Sequence, residues 1–122
     1  MTVPVYFAEE PEKIPELLRK IGIEELSGLR VPVKLHMGER GNVHYLKPPL
    51  VKIVLDSLKS VGADPFLYDT VVAYPGPRST KEGYLEVAKE HGFLDLGYDV
   101  IIGNEGIVVE ERGFSFEVAR EI

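Results

Sequence analysis

His36-Met37-Gly38-Glu39-Arg40-Gly41-Asn42-Val43-His44 is the densest run of potential acid/base, metal-ligating and anion-binding side chains in the chain. A neutral imidazole can bind a metal or move a proton near neutral pH, and Gly38 and Gly41 let the backbone approach a ligand closely. The separation of His36 and His44 fits no metal motif, so whether this loop binds metal stays open. The competing reading is one core-facing and one surface histidine. A second run, Tyr74-Pro75-Gly76-Pro77-Arg78-Ser79-Thr80, delivers a guanidinium and two hydroxyls to a helix start, where unpaired N–H groups and the dipole favour an anion. Arg78 paired with an acidic neighbour is the alternative. The glycine and lysine spacing is not that of a phosphate-binding P-loop.

Parallel α/β sheets place ligands outside the carboxyl ends of their strands. Here those ends carry His36, Asp69 and Asn104, each followed by an irregular or glycine-bearing loop. Asp and Asn also cap turns of their own, so convergence on a ligand and three separate loop roles both remain open. His91 precedes a glycine at a helix end, where a cation complements exposed carbonyls. Asp95, Asp99, Glu110 and Glu111 have no telling spacing and read as surface.

The elements that must position these groups follow from periodicity. Val3 to Ala8 reads as a strand, and Pro11 opens a helix carrying Ile14, Leu17, Leu18 and Ile21 at helical spacing. Leu29 to His36 reads as the next strand. From Pro49, the residues Leu50, Val51, Val54, Leu55, Leu58 and Val61 form one apolar helix face that Gly62 ends. Pro65 to Tyr68 is a buried strand ending at Asp69. Ser79 and Glu82 have capping-box spacing for a helix packed through Tyr84, Leu85, Val87 and Ala88. Val100 to Ile102 is a strand, and Ile107 to Glu111 with Phe114 to Glu117 form a hairpin or run into a final helix, whose first turns EVAREI resembles. The alternation predicts an α/β fold: a three-layer α/β/α sandwich with a mainly parallel sheet covered on both faces, Rossmann-like but without a dinucleotide motif.

Whole-chain properties bound the function. The 122 residues, 44% hydrophobic and 28% charged, suit one globular domain over residues 1–122. A net charge of -6 argues against nucleic acid and anionic membranes as partners. No apolar run approaches the ~20 residues of a spanning helix, and the N-terminus is unlike a signal peptide, so a cytoplasmic location is expected. The absence of cysteine excludes disulfides, thiolate zinc sites and any iron–sulfur cluster held by these residues. The Glu, Lys and Arg bias with no Gln suggests a thermophilic source.

VKLHMGERGNVHYLKPPLV, VGADPFLYDT and YPGPRSTKEGYLEVAKEHGF together resemble the N-terminal half of an uncharacterised prokaryotic family, domain of unknown function 362, over about residues 31 to 106. Many of its members are described as iron–sulfur or ferredoxin-like proteins. The resemblance singles out His36, Gly38, Glu39, Gly41, Asn42, Tyr45, Pro48, Asp69, Tyr74, Gly76, Arg78, Ala88, His91, Gly92 and Gly106. It implies an iron–sulfur cluster only for longer members, whose cysteine-rich segment is not in this sequence, and it implies that this chain is an N-terminal portion.

Two functions follow as expectations. One is half of a redox-linked enzyme site. In it His36 acts as acid/base or ligand, Asp69 orients its neighbours, and Gly38, Glu39, Gly41, Asn42, Tyr74, Gly76, Arg78, Ser79 and Asn104 bind an anionic ligand or metal. The other is a non-catalytic binding or oligomerisation module, completed by a second copy or by a missing C-terminal half.

Overall fold

The computed structural model describes residues 1–120 and has the expected α/β class with a parallel sheet. A 3-10 turn at Pro11–Lys13 leads into helix α1, Ile14–Lys20. Strand β1 is Arg30–Lys34, helix α2 Pro48–Ser60, strand β2 Asp64–Thr70, helix α3 Lys81–Glu90 and strand β3 Val100–Gly103. Strands β4, Gly106–Glu111, and β5, Phe114–Ala119, form a separate antiparallel ribbon.

The sheet order is β1-β2-β3, with Val33 opposite Leu67 and Asp69 opposite Ile102. Because side chains alternate along a strand, Val33, Leu67 and Ile102 share one face. That face meets Val51 and Leu55 of α2 and Tyr84, Val87 and Ala88 of α3 in one core. Two successive right-handed crossovers in an order that advances in one direction fall on the same side, which is where both helices pack. Leu58 of α2 joins Ile23 and Ala63 in a smaller cluster, with Leu18, Val31 and Val54 against it.

Three expectations are corrected. Val3 to Ala8 forms no strand: its apolar positions Val3, Val5 and Phe7 are 76 to 89% exposed and no ladder pairs it. Alternation alone does not make a strand without a partner for its backbone groups. The described part of EVAREI, Glu117–Arg120, is not a helix. Glu117–Ala119 completes β5, with Glu117 opposite Val108 and Ala119 opposite Gly106, while residues 121 and 122 lie outside the described ones. Cross-strand packing overrides a helix-compatible composition here. The hairpin alternative is the one present, its turn formed by Arg112 and Gly113 at φ 50° and 81°, the pairing of positive φ angles that matches strand twist in two-residue hairpins.

Third, the cap of α3 is Thr80, not Ser79. Thr80 has extended backbone, and its side chain accepts from the Gly83 N–H at 3.1 Å. Ser79 belongs to a preceding 3-10 turn, Pro77–Ser79, and its hydroxyl donates to the Gly76 carbonyl at 2.7 Å. Gly83 is needed there, because a Cβ would come within 2.1 Å of the Pro77 carbonyl oxygen.

Candidate functional site

The loops that follow β1 and β2 are tied together by a polar network at the carboxyl edge of the sheet. Its hub is the hydroxyl of Tyr84, a residue fully buried on α3. This hydroxyl donates to Asp69 Oδ2 and accepts from Arg78 Nη1 at 3.1 Å and from the Met37 N–H at 3.3 Å. Arg78, only 2% exposed, donates from Nε to Glu39 Oε1 at 2.8 Å and from Nη2 to Glu39 and to the Tyr74 hydroxyl. Tyr74 in turn donates to Glu39. At the other end, Lys34 Nζ reaches Asp69 Oδ1 at 3.4 Å. Two cations and two carboxylates balance, as buried charge requires.

These contacts set the protonation states. Hydrogen bonds from Arg78 and then Tyr74 hold the Glu39 carboxyl below its usual range. Burial works against the charge on Arg78, but Glu39 and Tyr84 more than offset it, and its pKa is raised. Burial first, and the Asp69 carboxylate second, push the Tyr84 hydroxyl up to about 12. The Tyr74 hydroxyl is raised chiefly by Glu39. At neutral pH the network is therefore an ionised carboxylate and guanidinium bridged by neutral tyrosines.

Met37 lies at the centre of a second arrangement. Its carbonyl accepts from His91 Nδ1 at 2.8 Å, and the His91 ring stacks on Tyr45 at 4.2 Å between centroids. Lys47 Nζ lies 3.7 Å from the Tyr45 centroid, a cation–π contact. His91 thus does more than end a helix: it holds the loop after β1. Gly38, at φ 87°, fits only because it has no Cβ, which would lie 2.8 Å from the His91 and Tyr45 rings. The Gly38 N–H donates to Nδ1 of the exposed His36 at 3.1 Å. In a neutral ring that bond leaves the proton on Nε2, so His36 presents a donor to solvent.

A cavity of about 240 Å³ opens at the carboxyl ends of β2 and β3. Thr70, Val71, Asn104 and Glu105 line it from the parallel sheet and the loop after it, and Gly106 and Glu117 from the ribbon. A Cβ at Gly106 would fall 2.3 Å from Glu117 Cγ, so glycine there lets the Glu117 side chain lie back over β4.

The candidate residues therefore separate. Asp69, Glu39, Tyr74 and Arg78 come together in the network, Gly38 and His36 adjoin it, and Asn104 lines the cavity. Gly76 and Ser79 are joined to each other in the turn before α3. Asn42 Oδ1 accepts from the His44 N–H at 2.7 Å, an Asx turn, and Gly41 has φ 79° in the same loop. Sequence reading missed Tyr84 as a polar hub, Lys34 as the partner of Asp69, and Thr70, Glu105 and Glu117 as cavity residues. Among the described residues, no group of three or more His, Asp or Glu side chains is placed to hold a metal ion, and no helix is long and apolar enough to cross a membrane.

Fold and site define a parallel α/β protein whose strand-end loops are locked by a buried Asp–Tyr–Arg–Glu network. The chain belongs to the family described as Domain of unknown function (DUF362), whose profile matches residues 31–116. That span begins within β1, runs through the network and the cavity-lining loop, and ends in β5. Comparison with curated proteins and with solved structures gives no match.

Proposed function

We propose that this chain contributes a ligand-binding half-site at the carboxyl edge of its sheet, with the ligand seated in the cavity between the ends of β2 and β3 and the ribbon. The observation that carries this reading is the position of that cavity: it lies where parallel α/β sheets bind ligands, and it is lined by Thr70, Asn104 and Glu117.

The lining favours positive over negative charge. Glu105 is paired with Arg120 at 3.3 Å, whereas the Glu117 carboxylate has no ion-pair partner among the described residues. Arg78, the cation earlier expected to take an anion, is engaged by Glu39. Of the two ligand classes expected, a hydrated divalent cation that keeps most of its own waters and meets the Glu117 carboxylate fits this cavity better than a free anion, because no three protein ligands converge among the described residues. In this reading Asp69 is a positioning residue that fixes the β2 end through Tyr84, and His36 offers Nε2–H as a hydrogen-bond donor at the neighbouring strand end. A redox-linked role would draw its electrons from a group outside these residues, which contain no cysteine.

The test is thermal unfolding with magnesium, manganese or inorganic phosphate, in the parent chain and in Glu117→Gln and Arg78→Lys. A ligand at a hundred times its Kd stabilises by about 2.7 kcal/mol, roughly 10 °C for a chain of this size. Stabilisation by a divalent cation, lost in Glu117→Gln, is expected. A phosphate shift lost in Arg78→Lys, or no shift with any of the three, overturns the cavity reading. A non-catalytic oligomerisation module is the second reading, favoured by the exposed apolar face of the ribbon.

A further inference from the structure

The register of the β4–β5 ribbon sorts its side chains into two unlike faces. Ile107 pairs with Val118, Val109 with Phe116 and Glu111 with Phe114, so these six share one face. The other carries Gly106, Ala119, Val108, Glu117, Glu110 and Ser115. On the first face, all five apolar side chains are 41 to 67% exposed, together roughly 400 Å² of uncovered apolar surface, a patch of the size that marks an interaction site. A two-stranded ribbon is marginal in water without a layer packed on it.

The charges bordering this face indicate what covers it. The Arg120 N–H bonds to the Glu105 carbonyl at 3.3 Å, which extends the ladder by one pair. By strand alternation Glu105 and Arg120 then lie on the apolar face, at its base. A two-fold axis running along the ribbon between two copies sets every residue over the copy of its own cross-strand neighbour. Ile107 meets the copy's Val118, Val109 meets the copy's Phe116, and Glu105 meets the copy's Arg120. The Ile107/Val118 and Val109/Phe116 rows meet apolar rows, Glu111 lies over the copy's Phe114 at the turn end of the ribbon, and Glu105 and Arg120 face opposite charges twice, once on each side of the axis.

We propose that the ribbon is a self-association surface, and that two copies of this chain pack these faces together as a small β-sandwich about such an axis. The association is isologous and closed, so it stops at a dimer. The face is about half the ~800 Å² per partner of a standard interface, the size of weak, transient associations, so the dimer forms reversibly. Val118 and Glu105 border both the cavity and this face, but the two readings are tested separately: the self-association is read from oligomeric state rather than from ligand-induced stabilisation, and Val109 and Val108, whose substitutions it compares, do not line the cavity.

Sedimentation equilibrium of the 122-residue chain from about 1 μM to about 1 mM tests it. The parent chain should pass from monomer to dimer and no further. Val109→Lys, on the apolar face, should raise Kd at least tenfold, while Val108→Lys, on the other face, should leave it within about twofold. Arg120→Glu should also weaken the dimer by placing like charges together, and Glu105→Arg combined with Arg120→Glu should restore it, because the two-fold axis matches the exchanged charges again. The charge variants keep the test decisive if Val109→Lys does not fold. A monomer throughout the range, equal effects of the two lysine variants, or no rescue by the double charge exchange overturns the proposal.

Discussion

Replacing Tyr84 by Phe removes one oxygen atom and leaves the ring that packs in the core. Three partners then lose their bond to that oxygen: Arg78 Nη1, the Met37 N–H and Asp69 Oδ2. A neutral hydrogen bond contributes about 1 kcal/mol and one to a charged group about 1.5 to 3 kcal/mol. Arg78 keeps Glu39 and Tyr74, and Asp69 keeps Lys34, so the lower end applies to the charged bonds, and one neutral and two charged bonds give an expected loss of about 3 to 4 kcal/mol. A chain of this length has an unfolding entropy of roughly 0.26 kcal/mol/K, so Tm should fall by about 12 to 15 °C. Urea unfolding followed by far-UV circular dichroism measures the loss, with an unchanged slope expected because the exposed area is the same. Tyr98→Phe is the control: its hydroxyl donates to the exposed Asp56 at 2.7 Å, and that change should cost less than about 1 kcal/mol. A loss below 1 kcal/mol for Tyr84→Phe, or one equal to that of Tyr98→Phe, would refute the assignment of Tyr84 as the hub.

Glu39 has a depressed folded-state pKa, so its contribution is fully present above its unfolded value of about 4.3 and is lost as pH falls through the folded value. Glu39→Gln should therefore cost about 2 kcal/mol at pH 7 and flatten the stability profile below about pH 4, as measured by urea unfolding across pH. Gly38→Ala should destabilise by at least about 2 kcal/mol through a left-handed backbone and contact with the His91 and Tyr45 rings, and the His91 ring resonances should move. Thr80→Ala should cost about 1 kcal/mol through loss of the α3 cap, and Ser79→Ala should cost less. Equal losses in that pair of thermal melts would contradict the cap assignment.

The elements that surround the site were legible because their signals are local. The apolar spacing from Leu50 to Val61 marks α2, a run of buried residues marks β2, and His91-Gly92 marks the end of α3. Errors arose where a distant partner decides. Val3 to Ala8 alternates as a strand should, yet nothing pairs it. EVAREI suits a helix, yet Glu117–Ala119 is held by β4. At the α3 cap the sequence offered two adjacent hydroxyls, and the 3-10 turn at Pro77–Ser79 selected the second by leaving Thr80 the extended backbone that a cap requires.

The site divides along the same line. Spacing located the loops, and His36, Asp69 and Asn104 do stand at strand ends, but spacing could not say which polar groups satisfy one another. Tyr84 reads as packing because its ring fits the apolar face of α3, and nothing in a helical period reports where a hydroxyl points. Arg78 and Glu39 are far apart in sequence, and the sequence alone left an anion and an internal carboxylate as rival partners for the guanidinium. Pairing them inside the protein changes how the residues singled out by the family resemblance are read. Gly38, Glu39, Tyr45, Asp69, Tyr74, Arg78 and His91 all act to hold two loops in one shape, through hydrogen bonds, ring stacking or the absence of a Cβ. A network this closed has little capacity left to bind a ligand itself. Its effect is to fix the strand ends from which Thr70 meets the cavity and His36 meets solvent, so under the proposed reading a ligand at this edge meets the residues that the network leaves free.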